Sequence, residues 1–160
     1  MKKRNISSKN NIPSGFYKKI LQSMPICCVD MVLKSSNKIY LFKRTYEPVK
    51  GEWWFLGGRV FKGESLKDAV LRKAKSEAGI DVKIKKQIGT YESFFNKNRF
   101  STKKNRNSTH SIAVCYLVEP KTKNFKLKLN DEHTDYMTIT KIGNDLHPYV
   151  RQILRDANGV

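Results

Sequence analysis

Residues 57–80 read GGRVFKGESLKDAVLRKAKSEAGI, and this stretch decides the fold. It follows the apolar run Trp53-Trp54-Phe55-Leu56, so a short strand ends in two glycines. Backbone without a Cβ can bend sharply there and approach a ligand closely. A loop carrying Arg59 and Glu64 comes next. Ser65 to Ala78 then reads as the clearest helix of the chain, with Leu66, Ala69, Val70 and Ala74 on one stripe and Gly79 as its stop. Strand, glycine-rich loop and helix together can present cations and a carboxylate to a phosphate–metal group. Positions 73, 76 and 77 share one helical face by their spacing of three and four.

Working outward, residues 1–12 hold Lys2, Lys3, Arg4 and Lys9 with no acid, the pattern of a flexible basic arm. Pro13-Ser14 opens a short helical pattern with Phe16, Ile20, Leu21 and Met24, stopped by Pro25. Ile26 to Leu33 reads as a buried strand interrupted by Asp30, and Lys38 to Arg44 as its hairpin partner. Burying Asp30 without partners is unfavourable, so it is either hydrogen-bonded to backbone or a site residue.

Downstream of the helix, Val82 to Phe95 is a long strand with a bulge expected near Gly89. Residues 96–109 form a long polar loop with Lys97, Arg99, Lys103, Lys104 and Arg106, and loops of that length are usually functional or disordered. Ile112 to Val118 is apolar throughout, as a central strand should be. Phe125, Leu127 and Leu129 alternate, Tyr136 to Ile139 is a short strand, and a last helix turns Leu146, Val150, Ile153 and Leu154 inward. The expectation is one α+β domain over 13–160 behind an arm over 1–12.

Composition narrows the classes. The chain has 160 residues, 39% of them hydrophobic, which suits one domain with a core and not a disordered chain. No run approaches the roughly 18–20 apolar residues of a membrane span. Cys27, Cys28 and Cys115 make neither a disulfide framework nor a pair of zinc knuckles, so a reducing, cytoplasmic setting is expected. Lysine and arginine total 32 against 14 acids, a net charge of +18. A field of that sign attracts nucleotides, diphosphates and nucleic acid. A lysine-rich solvated surface accounts for the same excess equally well.

Gly58, Glu64, Arg72, Glu77, Gly79 and Ile80 stand at the positions of a Nudix box, and the segment resembles the Nudix hydrolases in these residues. Lys73 and Ser76 stand where the box has two more glutamates. In most members that face gives several carboxylates to Mg²⁺; here Glu77 alone remains, with Lys73 placed one turn before it to pair. GDP-mannose mannosyl hydrolases are degenerate at the same two positions. They cut the sugar C1–O bond and release GDP, where ordinary members attack phosphorus. The likeness extends further. Lys43-Arg44-Thr45 places an arginine 15 residues before Arg59, Asp30 lies in the first strand, and Glu132-His133-Thr134-Asp135-Tyr136 matches a late histidine motif. Two departures stand out: Leu56 replaces a proline before the glycines, and no tyrosine occurs near His110-Ser111.

This resemblance implies a Nudix fold, a mixed central β-sheet sandwiched between helices. It implies a Mg²⁺ ion, with Mn²⁺ as an alternative, held by the Gly57 carbonyl, Glu77 and Glu132. It makes His133 the general base with Asp30 assisting, and gives the leaving diphosphate to Arg44 and Arg59. Arg72 is expected either at the substrate or, more simply, as the ion-pair partner of Glu64. His110 and His147 are expected to be structural or solvated, and Trp53 and Trp54 to be core. A homodimer is implied. The expected reaction is hydrolysis of GDP-mannose or GDP-glucose to GDP and free sugar. The alternatives are an ordinary pyrophosphohydrolase on ADP-ribose, dinucleotides or capped RNA, and an inactive module that binds nucleic acid through its basic surface.

Overall fold

The computed structural model describes residues 12–102, 104 and 108–158. The arm expected over 1–12 and the centre of the basic loop therefore fall almost wholly outside the described residues. The elements run α1 (Ser14–Ser23), β1 (Ile26–Ser35), β2 (Lys38–Arg44), β3 (Trp53–Trp54), β4 (Leu56–Arg59), α2 (Leu66–Ala78), β5 (Val82–Phe95), β6 (Thr109–Pro120), β7 (His133–Ile139) and α3 (Pro148–Asn158). No described helix is long and apolar enough to cross a membrane.

The sheet is mixed. Its main order is β3-β2-β1-β6-β5, with β4 on β1 and β7 on β2. β1 and β6 run parallel over eight registered pairs from Ile26–Ser111 to Leu33–Val118, and the other pairings are antiparallel. One edge of β1 is divided between two partners: Leu33 to Ser35 pair with β2, while Cys28 to Met31 pair with β4. The apolar run 53–56, expected as one strand, accordingly changes partner at the buried Phe55: Trp53 and Trp54 pair with β2, and Leu56 onward with β1. Gly57 thereby comes to lie directly opposite Asp30.

Two cores sit on the two faces, as the period of two along β1 requires. Val29, Met31 and Leu33 face Val70, Ala74 and Ala78 of α2. Cys28 and Val32 face Val150, Ile153 and Leu154 of α3. Asp30 shares the α3 face. The Trp53 and Trp54 rings belong to that core as expected. Phe125, Leu127 and Leu129 form no strand; they pack on the α2 face, where the Lys128 and Asn130 amides donate to Ala78 and Glu77 carbonyls and close the end of α2.

Helix α2 is locally encoded. Ser65 Oγ accepts from the Asp68 amide at 3.1 Å and Gly79 takes φ +68° at the C-terminus. The long β5 slips register between Ile84 and Lys86 and again between Gln87 and Gly89, which places the bulge where Gly89 predicts it.

Candidate functional site

The splayed edge of β1 opens a cleft of about 520 Å³. Asp30, Arg44, Gly57, Arg59, Lys73 and Glu132 line it, with α1 on one side and the loop through Arg99 on the other. Gly57 is its pivot. A methyl group there would overlap the Val29 carbonyl oxygen and Asp30 Oδ1, so the position tolerates no side chain. Gly58 has φ +133°, and an added Cβ would come within 3.0 Å of Lys73 Cε and Nζ.

Two buried carboxylates meet at this pivot in different company. Glu77, only 1% exposed, accepts three donors: Lys73 Nζ on Oε1 at 2.6 Å, and the Gly57 amide at 3.1 Å and His133 Nε2 at 3.2 Å on Oε2. Burial alone would push this carboxyl up; the His133 hydrogen bond and the Lys73 ammonium outweigh it and hold Glu77 below the usual range. Among the described residues the side chain of Asp30 accepts from one donor, the Tyr149 hydroxyl at 3.1 Å on Oδ2. Burial dominates and lifts it to about 6, with the Tyr149 hydrogen bond and the Arg44 charge pulling the other way. Tyr149 is itself held by a parallel stack on Trp54, centroids 5.0 Å apart.

The cations are also distinguishable. Arg44 ends β2 at a bulge beside His133, and its buried Nε has no hydrogen-bond partner among the described residues. Arg59 lies over the Tyr17 and Phe61 rings at 5.3 and 4.9 Å. Arg72 is engaged locally: Nε and Nη2 clamp Glu64 at 2.6 and 2.8 Å, and Nη2 also meets the Arg59 carbonyl at 3.1 Å. Burial would raise Glu64, but Arg72 and the Phe61 amide outweigh it and keep it low. Arg72 thus acts as the loop clamp that was the simpler expectation.

Several expected roles meet a different geometry. His133 is wholly buried at its side chain and directed at Glu77; its Nδ1, also buried, has no partner among the described residues. With Glu77 ionised, Nε2 carries the proton it donates. The Mg²⁺ ligand set expected on the Gly57 carbonyl, Glu77 and Glu132 does not fit a resident divalent ion as folded. Both oxygens of Glu77 already accept from nitrogen donors, Lys73 on one and His133 and the Gly57 amide on the other, and Glu132 pairs with Arg99 at 3.1 Å. Among the described residues no three His, Cys, Asp or Glu side chains gather as a metal site.

At the position lacking a tyrosine, Ser111 Oγ meets Ser93 Oγ at 2.7 Å. His110 sits 3.2 Å from Glu92 in an exposed pair, and His147 Nδ1 accepts from the Tyr149 amide. Of the basic loop, Lys97 pairs with Glu47 and Arg99 with Glu132, so these two cations face the chain's own cleft rim. All three cysteines are free.

Sequence reasoning missed Tyr149. Its only signal is distant in the chain, 119 positions from Asp30, and no local spacing announces such a contact.

A family model described as NUDIX domain matches residues 25–157. The chain is 34% identical over 143 residues to the low-salt glycan biosynthesis protein Agl8 of Haloferax volcanii, covering 89% of this chain and 88% of that one. It is 29% identical over 140 residues to an ADP-ribose pyrophosphatase of Methanocaldococcus jannaschii, covering 84% and 76%. The solved MutT Nudix hydrolase of Burkholderia pseudomallei shares the fold with a TM-score of 0.65 at 20% identity, over 84% of this chain and 98% of that one. A glycine pivot before a capped helix, a clamped loop glutamate and a family match across both cores agree: the chain belongs to the Nudix hydrolase family.

Proposed function

We propose that this Nudix hydrolase acts on a nucleoside-diphosphate sugar, GDP-mannose or GDP-glucose first among them, and breaks the bond between sugar C1 and the diphosphate oxygen. The observation that carries the reading is the pairing of Asp30, raised to about 6, with a cleft lined by Arg44 and Arg59. A buried carboxylate of that basicity is suited to take a proton from water near neutral pH. Water forms the new C1–O bond and gives its proton to Asp30. The bond to the diphosphate breaks, and its electron pair leaves on the nucleotide. Arg44 and Arg59 neutralise the charge that grows there, so they bind the transition state better than the ground state. Attack from the face opposite the leaving group inverts C1. His133 acts through Glu77 as a positioning residue, and Arg72 through Glu64.

Nudix hydrolases generally use Mg²⁺ or Mn²⁺. Glu77 of the box and Glu132 outside it are engaged by nitrogen donors, so every step above is assigned to the chain's own groups. The relation to a glycan biosynthesis protein supports a sugar nucleotide. The same proposal includes a homodimer, checked by sedimentation equilibrium.

A second reading, attack at phosphorus, is favoured by the relative that is an ADP-ribose pyrophosphatase. Turnover of a panel of GDP-, UDP- and ADP-sugars and ADP-ribose in ¹⁸O water separates the two. Label in the free sugar beside nucleoside diphosphate supports C1 attack. Label in a phosphate beside nucleoside monophosphate replaces it with the pyrophosphatase reading, and no turnover of any member leaves the basic surface as a binding module.

A further inference from the structure

We infer that the Lys73 ammonium stands in for the divalent ion on Glu77 and is itself the cation that receives the substrate diphosphate at the glycine pivot. This rests on reading the cleft as a diphosphate site, and not on which bond is cut there.

Position 73 lies one turn before Glu77 on α2, and Nζ approaches Glu77 Oε1 to 2.6 Å. This is not a loose surface pair: the two side chains are 18% and 2% exposed. The other carboxylate oxygen is taken by the Gly57 amide and His133. Each carboxylate oxygen therefore already faces a nitrogen donor, where Mg²⁺ would require oxygen donors free to form an octahedron. Ser76, the other changed box position, turns its hydroxyl back to the Lys73 carbonyl at 3.4 Å.

Lys73 nevertheless lines the cleft beside Gly57, Gly58 and Arg59. The turn is shaped around it, since a Cβ at Gly58 would crowd its Cε and Nζ at 3.0 Å. Glu77 keeps the ammonium fixed from behind, so the head need not be ordered when a ligand arrives. A lysine point charge meets phosphate from one side while the Arg44 and Arg59 guanidiniums supply forked donors. The site thus offers three cations whose charge does not depend on free metal.

Two measurements on the full chain test this. The first is Mn²⁺ titration followed by the electron paramagnetic resonance of free ion. Wild type is expected to hold no stoichiometric Mn²⁺, whereas Lys73→Glu, which sets a second carboxylate one turn from Glu77, is expected to bind one ion and to melt higher in its presence. One Mn²⁺ bound by wild type and lost in Glu77→Gln overturns the inference. The second is calorimetric binding of GDP, UDP and ADP in EDTA and in Mg²⁺. The tightest binder is expected to keep its affinity within about threefold, and to lose about tenfold or more in the charge-neutral double variant Lys73→Met/Glu77→Gln. A fall of more than threefold in EDTA, or a folded double variant that binds like wild type, overturns it. Should the double variant not fold, the wild-type titrations decide. Binding in neither buffer removes the diphosphate reading of the cleft, and isotope position in product reports separately on the bond cleaved.

Discussion

Asp30 and Glu77 reach the same glycine, one from the α3 side of the sheet and one from α2, yet the fold treats them oppositely. Glu77 is surrounded by an ammonium, an imidazole and a backbone amide, and is held ionised. Asp30 is almost as buried but has, among the described residues, a single hydroxyl donor, and its carboxyl rises to about 6. Burial depth alone does not decide a carboxylate's role; the number and charge of its donors does. A saturated acid organises its neighbours, while an under-served one has proton affinity to spend on chemistry. Environments that drive two acids apart in this way are how a site separates its reactive group from its scaffold.

The comparison breaks first at Asp30→Asn. Loss of the base should lower kcat by about 10²–10⁴ while the fold persists, since Asn retains an acceptor for Tyr149. A variant at wild-type rate by product assay would return the base role to another group. Glu77→Gln should show the reverse emphasis. Removing one member of a buried pair leaves Lys73 uncompensated and should lower stability by about 3 kcal/mol in urea unfolding. Unchanged stability would mean that the Lys73–Glu77 contact contributes nothing to the fold.

Stability against pH sharpens the contrast. The folded chain binds the Asp30 proton more tightly than the unfolded chain, so this carboxyl weakens the fold as pH climbs from its ordinary 3.8 to about 6. Asp30→Asn should therefore be more stable than wild type by up to about 3 kcal/mol above neutrality, the difference closing at acid pH. Glu77 has the opposite sign: its contribution is present above the ordinary 4.5 and is lost as pH falls through its lowered value. Equal pH profiles for wild type and Asp30→Asn in thermal melts would contradict the raised carboxyl. The smallest effect belongs to Tyr149→Phe. Its hydroxyl favours ionised Asp30, so the acid limb of kcat/KM should move upward, by about one pH unit or less for one neutral hydrogen bond. A limb that stays put would detach Tyr149 from the base.

Much of this molecule was legible before folding. The stripe on α2 and its Gly79 stop, the Gly89 bulge and the buried run of β1 act over a few positions, and the structure follows them. The pairing of Arg72 with Glu64 and of Lys73 with Glu77 was legible for the same reason, because helix and adjoining loop bring such charges together over eight and four positions. The exchange of partners at Phe55 was not, since it depends on how β1 divides its edge between β2 and β4.

The sequence by itself determined the separate strands and helices, the glycine pivot and the defect in the box, all of them short-range patterns of shape and charge. Only the tertiary structure decided what each acid became. It carried His133 across 56 positions onto Glu77 and turned it from the cleft, and it brought Tyr149 to Asp30 from the far end of the chain. The physical reason is that a carboxylate's proton affinity is set by donors and burial within a few ångströms, and in a folded chain those neighbours are chosen by topology.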